Sequence, residues 1–291
     1  MQQVSDIDLR LLQVFLTIVR CGGFSAAQPI LNIGQPTISE HMNKLESRVG
    51  VRLCERGRGG FRLTESGEQV HRAALRLFNS IEDFRHEVSD VDKQLRGTLN
   101  IGIIDNTITN MDSPLPSAIS RFNQRASDVQ IQIEVKPPLE LEQSVLHGRM
   151  HAAIGPYPMH ISGLDYRPIF KEKQLLYCSN NHPFASLAGL NAKTIRSAHI
   201  VARGYMHAAD LKVLGVSSAA ALIDNVEAQA MLILTGQYIG FLPSHYAEQW
   251  VVKNKLQNLM PEKFHYSTNM ELIVKSGGFR SEVLQAFLDE L

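Results

Sequence analysis

The stretch FSAAQPILNIGQPTISEHMNKLESRVGVRLCERGRGGFRLT, residues 24–64, decides how this chain is read. Two runs with helical spacing flank a tight break at Asn32 and Gly34, and a basic, glycine-rich loop follows. Ser25, with Gln28 three residues on, has the pattern of a helix N-cap with a capping box. Gln35-Pro36-Thr37 opens the next helix, because proline suits a first turn where its missing N–H has no partner. Ile38, Met42, Leu45 and Val49 form that helix's apolar stripe, which leaves Gln35, Thr37, Ser39 and Lys44 on other faces. Amides and hydroxyls at such positions reach base edges or phosphates, and a lysine reaches phosphate. Upstream, Leu9, Leu12, Phe15, Leu16 and Val19 predict a first helix over residues 8–20, stopped by Gly22 and Gly23.

The 291-residue chain is neutral overall, with 29 basic and 29 acidic residues, so its total charge does not point to nucleic acid. The local balance does. Residues 44–62 hold six basic side chains (Lys44, Arg48, Arg52, Arg56, Arg58, Arg62) and two acidic ones (Glu46, Glu55), a net of +4. Phosphate binding depends on such a patch rather than on the total. The three cysteines (Cys21, Cys54, Cys178) have no metal-ligand spacing and fit a reduced cytoplasmic protein. The start of the chain lacks the basic opening and small-residue cleavage site of a signal peptide. No apolar run reaches the 18 or so residues that span a bilayer. The expectation is a cytoplasmic protein with no membrane association, no cofactor and no metal site.

The segment resembles the N-terminal domain of LysR-type transcriptional regulators. The matching residues are Phe24-Ser25, Ala27, Leu31, Gln35-Pro36-Thr37, Ser39, Leu45-Glu46, Gly50, Leu53, Glu55-Arg56, Arg62-Leu63-Thr64 and Gly67, in order and without a gap over about 60 residues. The resemblance implies a winged helix-turn-helix domain over residues 7–64, with the motif at about 24–43. It places Ser25, Gln35, Pro36, Thr37, Ser39 and Lys44 at the DNA, and Arg56, Arg58 and Arg62 on the wing. Three departures bear on local geometry. Pro29 falls inside the second helix, Gln28 stands at a usually small position, and Cys54 replaces an aromatic under the wing.

Behind the wing, Thr64 is placed to cap a long helix. Val70, Ala74, Leu77, Ile81, Phe84, Val88, Val91 and Leu95 follow in alternating steps of four and three, the rhythm of a coiled-coil seam. A linker helix over residues 65–93 is expected, with a homodimer as the favoured reading and packing on the chain's own C-terminal half as the other. On that reading Leu77→Glu yields monomers. The family resemblance implies dimerisation through this helix, with tetramers common.

From residue 94 the texture changes to strands alternating with helices, as in parallel α/β units. Strands are expected at residues 99–104, 129–135, 152–155, 175–178, 200–202, 238–242 and 271–275. Helices are expected at residues 114–125, 139–147 and 281–291. The resemblance continues through Gly148-Arg149-Met150-His151-Ala152-Ala153-Ile154, His182-Pro183-Phe184 and Gly236-Gln237-Tyr238-Ile239-Gly240-Phe241-Leu242-Pro243. It implies an effector-binding domain of the two-lobed periplasmic-binding-protein type. Lobe I covers about 94–161 and 268–291, and lobe II about 162–267. The whole chain is then α+β: a winged helix-turn-helix, a linker helix and a two-lobed α/β domain.

Ligands of open α/β sheets bind beyond the C-terminal ends of strands. That rule selects Asp105, Asn106 and Thr107 after the first strand, Tyr157 after another, and Arg203 with Tyr205 after a third. Arg203 suits a carboxylate, and Asp105 adds an acidic group that suits an amino acid. The leading function is a sequence-specific DNA-binding transcriptional regulator that answers a small carboxylate or amino acid. Its partners would be double-stranded operator DNA, a second copy or three further copies of the chain, and RNA polymerase. The alternative is a DNA-binding module fused to a small-molecule-processing enzyme domain. The chain holds no P-loop, HExxH, GxSxG or Cys-x-x-Cys pattern to support one. A solute-binding protein is the third reading, and the lack of an export signal opposes it.

Overall fold

A computed structural model of the chain describes residues 5–57, 60–88, 95–277 and 281–291. The chain forms two compact units, Met1–Arg85 and His86–Leu291.

In the first unit, helices α1 (Asp6–Cys21), α2 (Phe24–Leu31) and α3 (Gln35–Val49) precede a hairpin of β1 (Cys54–Gly57) and β2 (Gly60–Leu63) and a long helix α4 (Glu65–Val88). The core gathers Leu11, Leu12, Phe15 and Ile18 of α1 with Ala27, Ile38, Met42, Leu45 and Leu53. The buried face of α1 is turned from the expected stripe: Leu11, Val14 and Ile18 are inside, while Leu9, Leu16 and Val19 are only half-buried. The expected Ser25 cap is also corrected. Gly23 is the N-cap of α2, and Ser25 lies inside its first turn. Pro29 does not end α2, which continues to Leu31 with the proline exposed. Its position in a short surface helix costs one intrahelical bond and brings no ring into the core. Cys54 is buried in the core, and Phe61 packs against the same core, edge-on to Phe24 with ring centroids 6.0 Å apart.

The coiled-coil reading of α4 needs revision. Ala74 is buried in this unit's own core, and Val70, Leu77 and Phe78 pack against it. The first half of the heptad stripe therefore has an intrachain partner, and Leu77→Glu would disturb folding before it tested association. Phe84, further along, is 62% exposed. Helix α4 is described to Val88, and Val91 of the stripe lies outside the described residues.

The second unit begins with β3 (Gly97–Ile103), α5 (Leu115–Arg125), β4 (Val129–Val135), α6 (Pro138–Leu146), β5 (Ala152–Gly155) and the long β6 (Leu164–Ser179). It continues through α7 (Ala192–Ile195), β7 (Val201–Arg203), α8 (His207–Leu214), β8 (Ala221–Ile223) and α9 (Val226–Leu234). Strand β9 (Ile239–Pro243), α10 (Ser244–Val252), β10 (Leu256–Asn258), β11 (His265–Lys275) and α11 (Glu282–Leu288) complete it. The main sheet has the order β10-β6-β11-β5-β3-β4, with β9 also on β6, and β7 pairs β8 in parallel.

Lobe I is built on parallel β4-β3-β5, with a core of Leu99, Ile101, Phe122, Ile154 and Phe287. Lobe II is built around β9 and the second half of β6, with Leu176, Val201, Ile233, Phe241 and Leu242 buried. Strands β6 and β11 pair antiparallel over their whole shared length and carry the chain between the lobes. Their register shifts at Met270/Glu271, and such a bulge bends a strand locally. The expected lobe boundary at residues 161/162 therefore shifts along β6. Leu164 to Pro168 still pair beside β5 in lobe I, and the crossing lies inside the strand. At the shift the pairing passes from Phe170 to Pro168 and skips Ile169, so the ladder is locally interrupted where the chain passes between the lobes.

Candidate DNA-binding surface and effector cleft

Gln35, Pro36 and Thr37 are exposed in the first turn of α3, Lys44 is exposed further along, and Ser39 is half-buried. The Ser25 hydroxyl lies 3.5 Å from Oε1 of Gln35, bringing α2 and the start of α3 onto one polar surface. Two acidic residues fix this helix. Asp8 on α1 is fully buried and accepts from the Arg48 guanidinium. Arg48 holds the Asp8 carboxyl well below the usual carboxylate range, against the effect of burial. Arg48 is therefore engaged in orienting α3 on α1, and the basic patch is smaller than the count of arginines suggested. Glu46 accepts from the backbone N–H groups of Leu53, at 2.7 Å, and Cys54, at 3.4 Å, and so ties α3 to the entry of the wing.

On the wing, Glu55 pairs with Arg62 and Arg56 with Phe61 in the hairpin register. Arg62 is exposed. Arg58 lies outside the described residues. The wing is anchored from below by Thr64. Its N–H donates to Leu53 O at 3.1 Å, its hydroxyl donates to Arg52 O at 2.7 Å, and it accepts from Gly67 N–H at 2.9 Å.

In the second unit, Asp105, Arg203 and Tyr205 come together between the lobes. Arg203 ends β7 and is 2% exposed. Its Nη2 donates to Gln174 Oε1 at 2.8 Å, and its guanidinium carbon lies 5.7 Å from the Tyr205 ring centroid. Burial works against the charge, but Tyr205, Tyr266, Asp210 and Glu172 outweigh it and raise the Arg203 pKa. Asp105 follows β3. Its Oδ2 accepts from Asn106 and, across the cleft, from Val226 N–H at the start of α9, both at 2.7 Å. Burial raises the Asp105 pKa despite that N–H and the nearby Arg203. Arg203 Nε and Asp105 Oδ1 are both buried with no hydrogen-bond partner among the described residues.

The other expected residues are placed differently. Thr107 is buried and its hydroxyl donates to Ile104 O, which shapes the turn. Asn106 takes a left-handed conformation (φ 59°) that lets the chain reverse there. Tyr157 packs inside lobe I, edge-on to Tyr166 at 5.6 Å and in a cluster with Leu141 and Ile273. Reasoning from strand ends found Arg203 but not Glu172, Gln174, His245 and Thr268, which also stand at the cleft. Glu172 and Gln174 share one face of β6, and Thr268 is opposite Glu172 in the β6–β11 register. His245 stands two residues beyond the end of β9, so the rule that selected Arg203 would have selected it too.

The family profile described as "Bacterial regulatory helix-turn-helix protein, lysR family" matches residues 9–68. The profile described as "LysR substrate binding domain" matches residues 92–291. The chain is a LysR-type transcriptional regulator. Among its relatives is the HTH-type transcriptional activator BauR of Pseudomonas aeruginosa, 41% identical over 291 residues, covering 99% of this chain and 95% of that one. Solved structures of the same fold include the LysR family regulator CbnR, with a TM-score of 0.70 at 17% identity, covering 97% of each chain. A full-length OxyR variant from Pseudomonas aeruginosa gives a TM-score of 0.66 at 18% identity, covering 100% of this chain and 95% of that one. The regulator thus joins a DNA-binding domain to an effector-binding domain, and residues 92–291, where the alternative reading placed an enzyme, match the latter. No described helix is long and apolar enough to cross a membrane.

Proposed function

We propose that this regulator works in the cytoplasm, binds a roughly two-fold operator as a dimer or tetramer, and responds to a small amino acid held between the lobes. The observation that carries the effector class is the pair of unmatched groups in one buried cleft. Arg203 Nε is a free donor on a cation, and Asp105 Oδ1 is a free acceptor on an acid. They feel each other's charge without forming an ion pair among the described residues. A zwitterion answers both, with its carboxylate at Arg203 and its ammonium at Asp105. A buried polar group left unmatched costs about 1–3 kcal/mol, so a ligand lacking either group forfeits that much.

The test is a melting series on the full chain with glycine, 3-aminopropanoate and 4-aminobutanoate, alongside propanoate and propylamine. One amino acid of the series is expected to raise the melting temperature, because ligand at 100 times its Kd stabilises by about 2.7 kcal/mol. A carboxylate that binds as tightly without an ammonium group would remove Asp105 from recognition.

At the DNA, we place Gln35, Thr37 and Ser39 at base edges, with Ser25, Pro36, Lys44, Arg56, Arg58 and Arg62 positioning the motif and its wing on the duplex. Gln35→Ala is expected to lower the ratio of operator to random-DNA affinity by about 1–3 kcal/mol, as for loss of a bidentate base contact. An unchanged ratio at fixed salt would take Gln35 out of base reading.

The exposed Phe84 and half-buried Ile81 of α4 carry the proposed dimer seam. Phe84→Glu is expected to give monomers in sedimentation while leaving the unit's own core intact. Dimers that persist in this variant would count against the seam. Contact with RNA polymerase belongs to the same proposal, since a dimer beside a promoter presents its free surface to the enzyme.

A further inference from the structure

One histidine joins the lobes across the cleft. Thr109, at the end of a short turn after β3, has its hydroxyl 2.7 Å from Nδ1 of His245 on α10. Nε2 of the same ring lies 2.9 Å from Oε2 of Glu172 on β6. Glu172 Oε1 accepts from Gln174 Nε2 at 2.6 Å, and Gln174 Oε1 accepts from Arg203 Nη2 at 2.8 Å. A continuous hydrogen-bonded run therefore leads from lobe I over the hinge strand to the arginine assigned to the effector. The side chains of His245 and Glu172 are 14% and 9% exposed, so water competes little for these bonds.

The run has a direction problem that a proton solves. A carboxylate only accepts, so Nε2 must carry hydrogen to serve Glu172. In a neutral ring Nδ1 is then an acceptor and needs the Thr109 hydroxyl proton. That same proton is also directed at Asn106 O, 3.1 Å away. A hydroxyl has one proton to give, so one of the two bonds is lost. In a charged ring Nδ1–H donates to Thr109, Thr109 donates to Asn106 O, and Nε2–H donates to Glu172. All three bonds are made, and the one to Glu172 becomes a stronger, charge-assisted contact.

We infer that His245 is a positioning residue for the effector response, and that a proton gained on its ring completes the run and tightens the tie between the lobes. Glu172 faces the ring from β6 and favours the charge. Behind it stand Arg203, which opposes the charge, and Tyr205 and Tyr266, which also lie in the field of Glu172. Asp210 beside Arg203 offsets part of that opposition. Tyr246, next to His245 on α10, lies in the field of Asp105 and Glu227. The second tie between the lobes, from Val226 N–H to Asp105 Oδ2, closes the same cleft. The inference rests on reading this cleft as the effector site. Its test uses no effector, so the two can fail separately.

The chain has a single tryptophan, Trp250, on α10 five residues beyond His245. Imidazole is the side chain that ordinarily changes charge between about pH 5 and 8. Emission of the full-length protein, followed over that range without ligand, is expected to show a titration step. His245→Gln should reduce the step, leaving only what Asp210, pushed up to about 6 by burial, contributes in the same range. Thr109→Val, which removes the acceptor of the charged ring's Nδ1–H, should move its midpoint to lower pH. Amide exchange at Val226, corrected for the intrinsic rate, should be slower at pH 5.5 than at pH 8 in the wild type and equal at both in His245→Gln. A step that survives unchanged in His245→Gln, or no step in the wild type, overturns the inference. If that variant fails to fold, an unmoved midpoint in Thr109→Val overturns it equally.

Discussion

Gly67→Ala is expected to abolish operator binding and to lower the melting temperature of the DNA-binding unit by about 8–16 °C, for a loss of about 2 kcal/mol. Ordinarily alanine stabilises a helix relative to glycine by roughly 0.5–1 kcal/mol, so this change should go against propensity. The reason is space. A Cβ at Gly67 would stand 1.9 Å from Leu53 O and 2.8 Å from Leu53 C. Backbone cannot swing aside as a side-chain end can. The crowded carbonyl is the one that accepts Thr64 N–H, and Thr64 in turn holds Arg52 O and caps Gly67 N–H. Moving α4 away to admit the methyl breaks that set, which joins the wing's second strand to the residue preceding its first. Circular dichroism melts and operator binding at fixed salt check the expectation. A melting temperature at or above that of the wild type would show that α4 and the wing are not in this contact.

Gly67 also shows what was legible in the sequence. It was visible as part of a spaced pattern, but its reason was not, because no local rule shows that the carbonyl of the distant Leu53 presses on it. The same divide runs through the molecule. Gln35-Pro36 marks the start of α3 because proline and the following stripe act locally. Ser25 is not the cap because the two glycines divide the work: Gly22 closes α1 and Gly23 opens α2. The heptad of α4 is a real pattern that does not make a single seam, since a stripe of one spacing serves an intrachain core at Ala74 and stands exposed at Phe84.

In the effector domain, Arg203 was legible as a cation at a strand end. Glu172 and Gln174 were not, because in Lys171-Glu172-Lys173-Gln174 they look like the solvated half of an alternating strand. Here that half crosses between two lobes, and its polar face is buried at the hinge. Tyr157 obeyed the same strand-end rule as Arg203 yet turned into lobe I, where the ring of Tyr166 and the side chain of Leu141 offer apolar contact. Strand ends locate a cleft, and packing decides which side chains face it.

Arg203→Met is expected to end the effector response, to leave operator recognition by α3 intact, and to destabilise the effector-binding unit by about 3–5 kcal/mol, as when one member of a buried charged set is removed. Asp210, Glu172 and Asp105 all lie within the field of this single guanidinium. Asp210 is fully buried, accepts from Tyr266 at 2.5 Å, and has its pKa pushed up to about 6 by burial even with Arg203 beside it. Without the arginine, burial of Asp210 is opposed only by the Tyr266 hydroxyl and the weaker field of His207, and the folded-state value rises further. A carboxyl with a folded pKa above its unfolded value of about 3.9 binds more protons in the native state. The stability it contributes is complete below about 3.9 and is lost as pH rises through the folded value. The variant should therefore lie closer to wild type at pH 5 than at pH 8. Asp210→Asn added to Arg203→Met removes the uncompensated charge and should recover part of the stability at pH 8, but none of the response. Melts of the full chain at both pH values, with and without the amino acid that shifts the wild type, separate these outcomes. A ligand-induced shift of wild-type size in Arg203→Met would take the arginine out of the effector site. Equal destabilisation at pH 5 and pH 8 would instead remove Asp210 as the source of the cost.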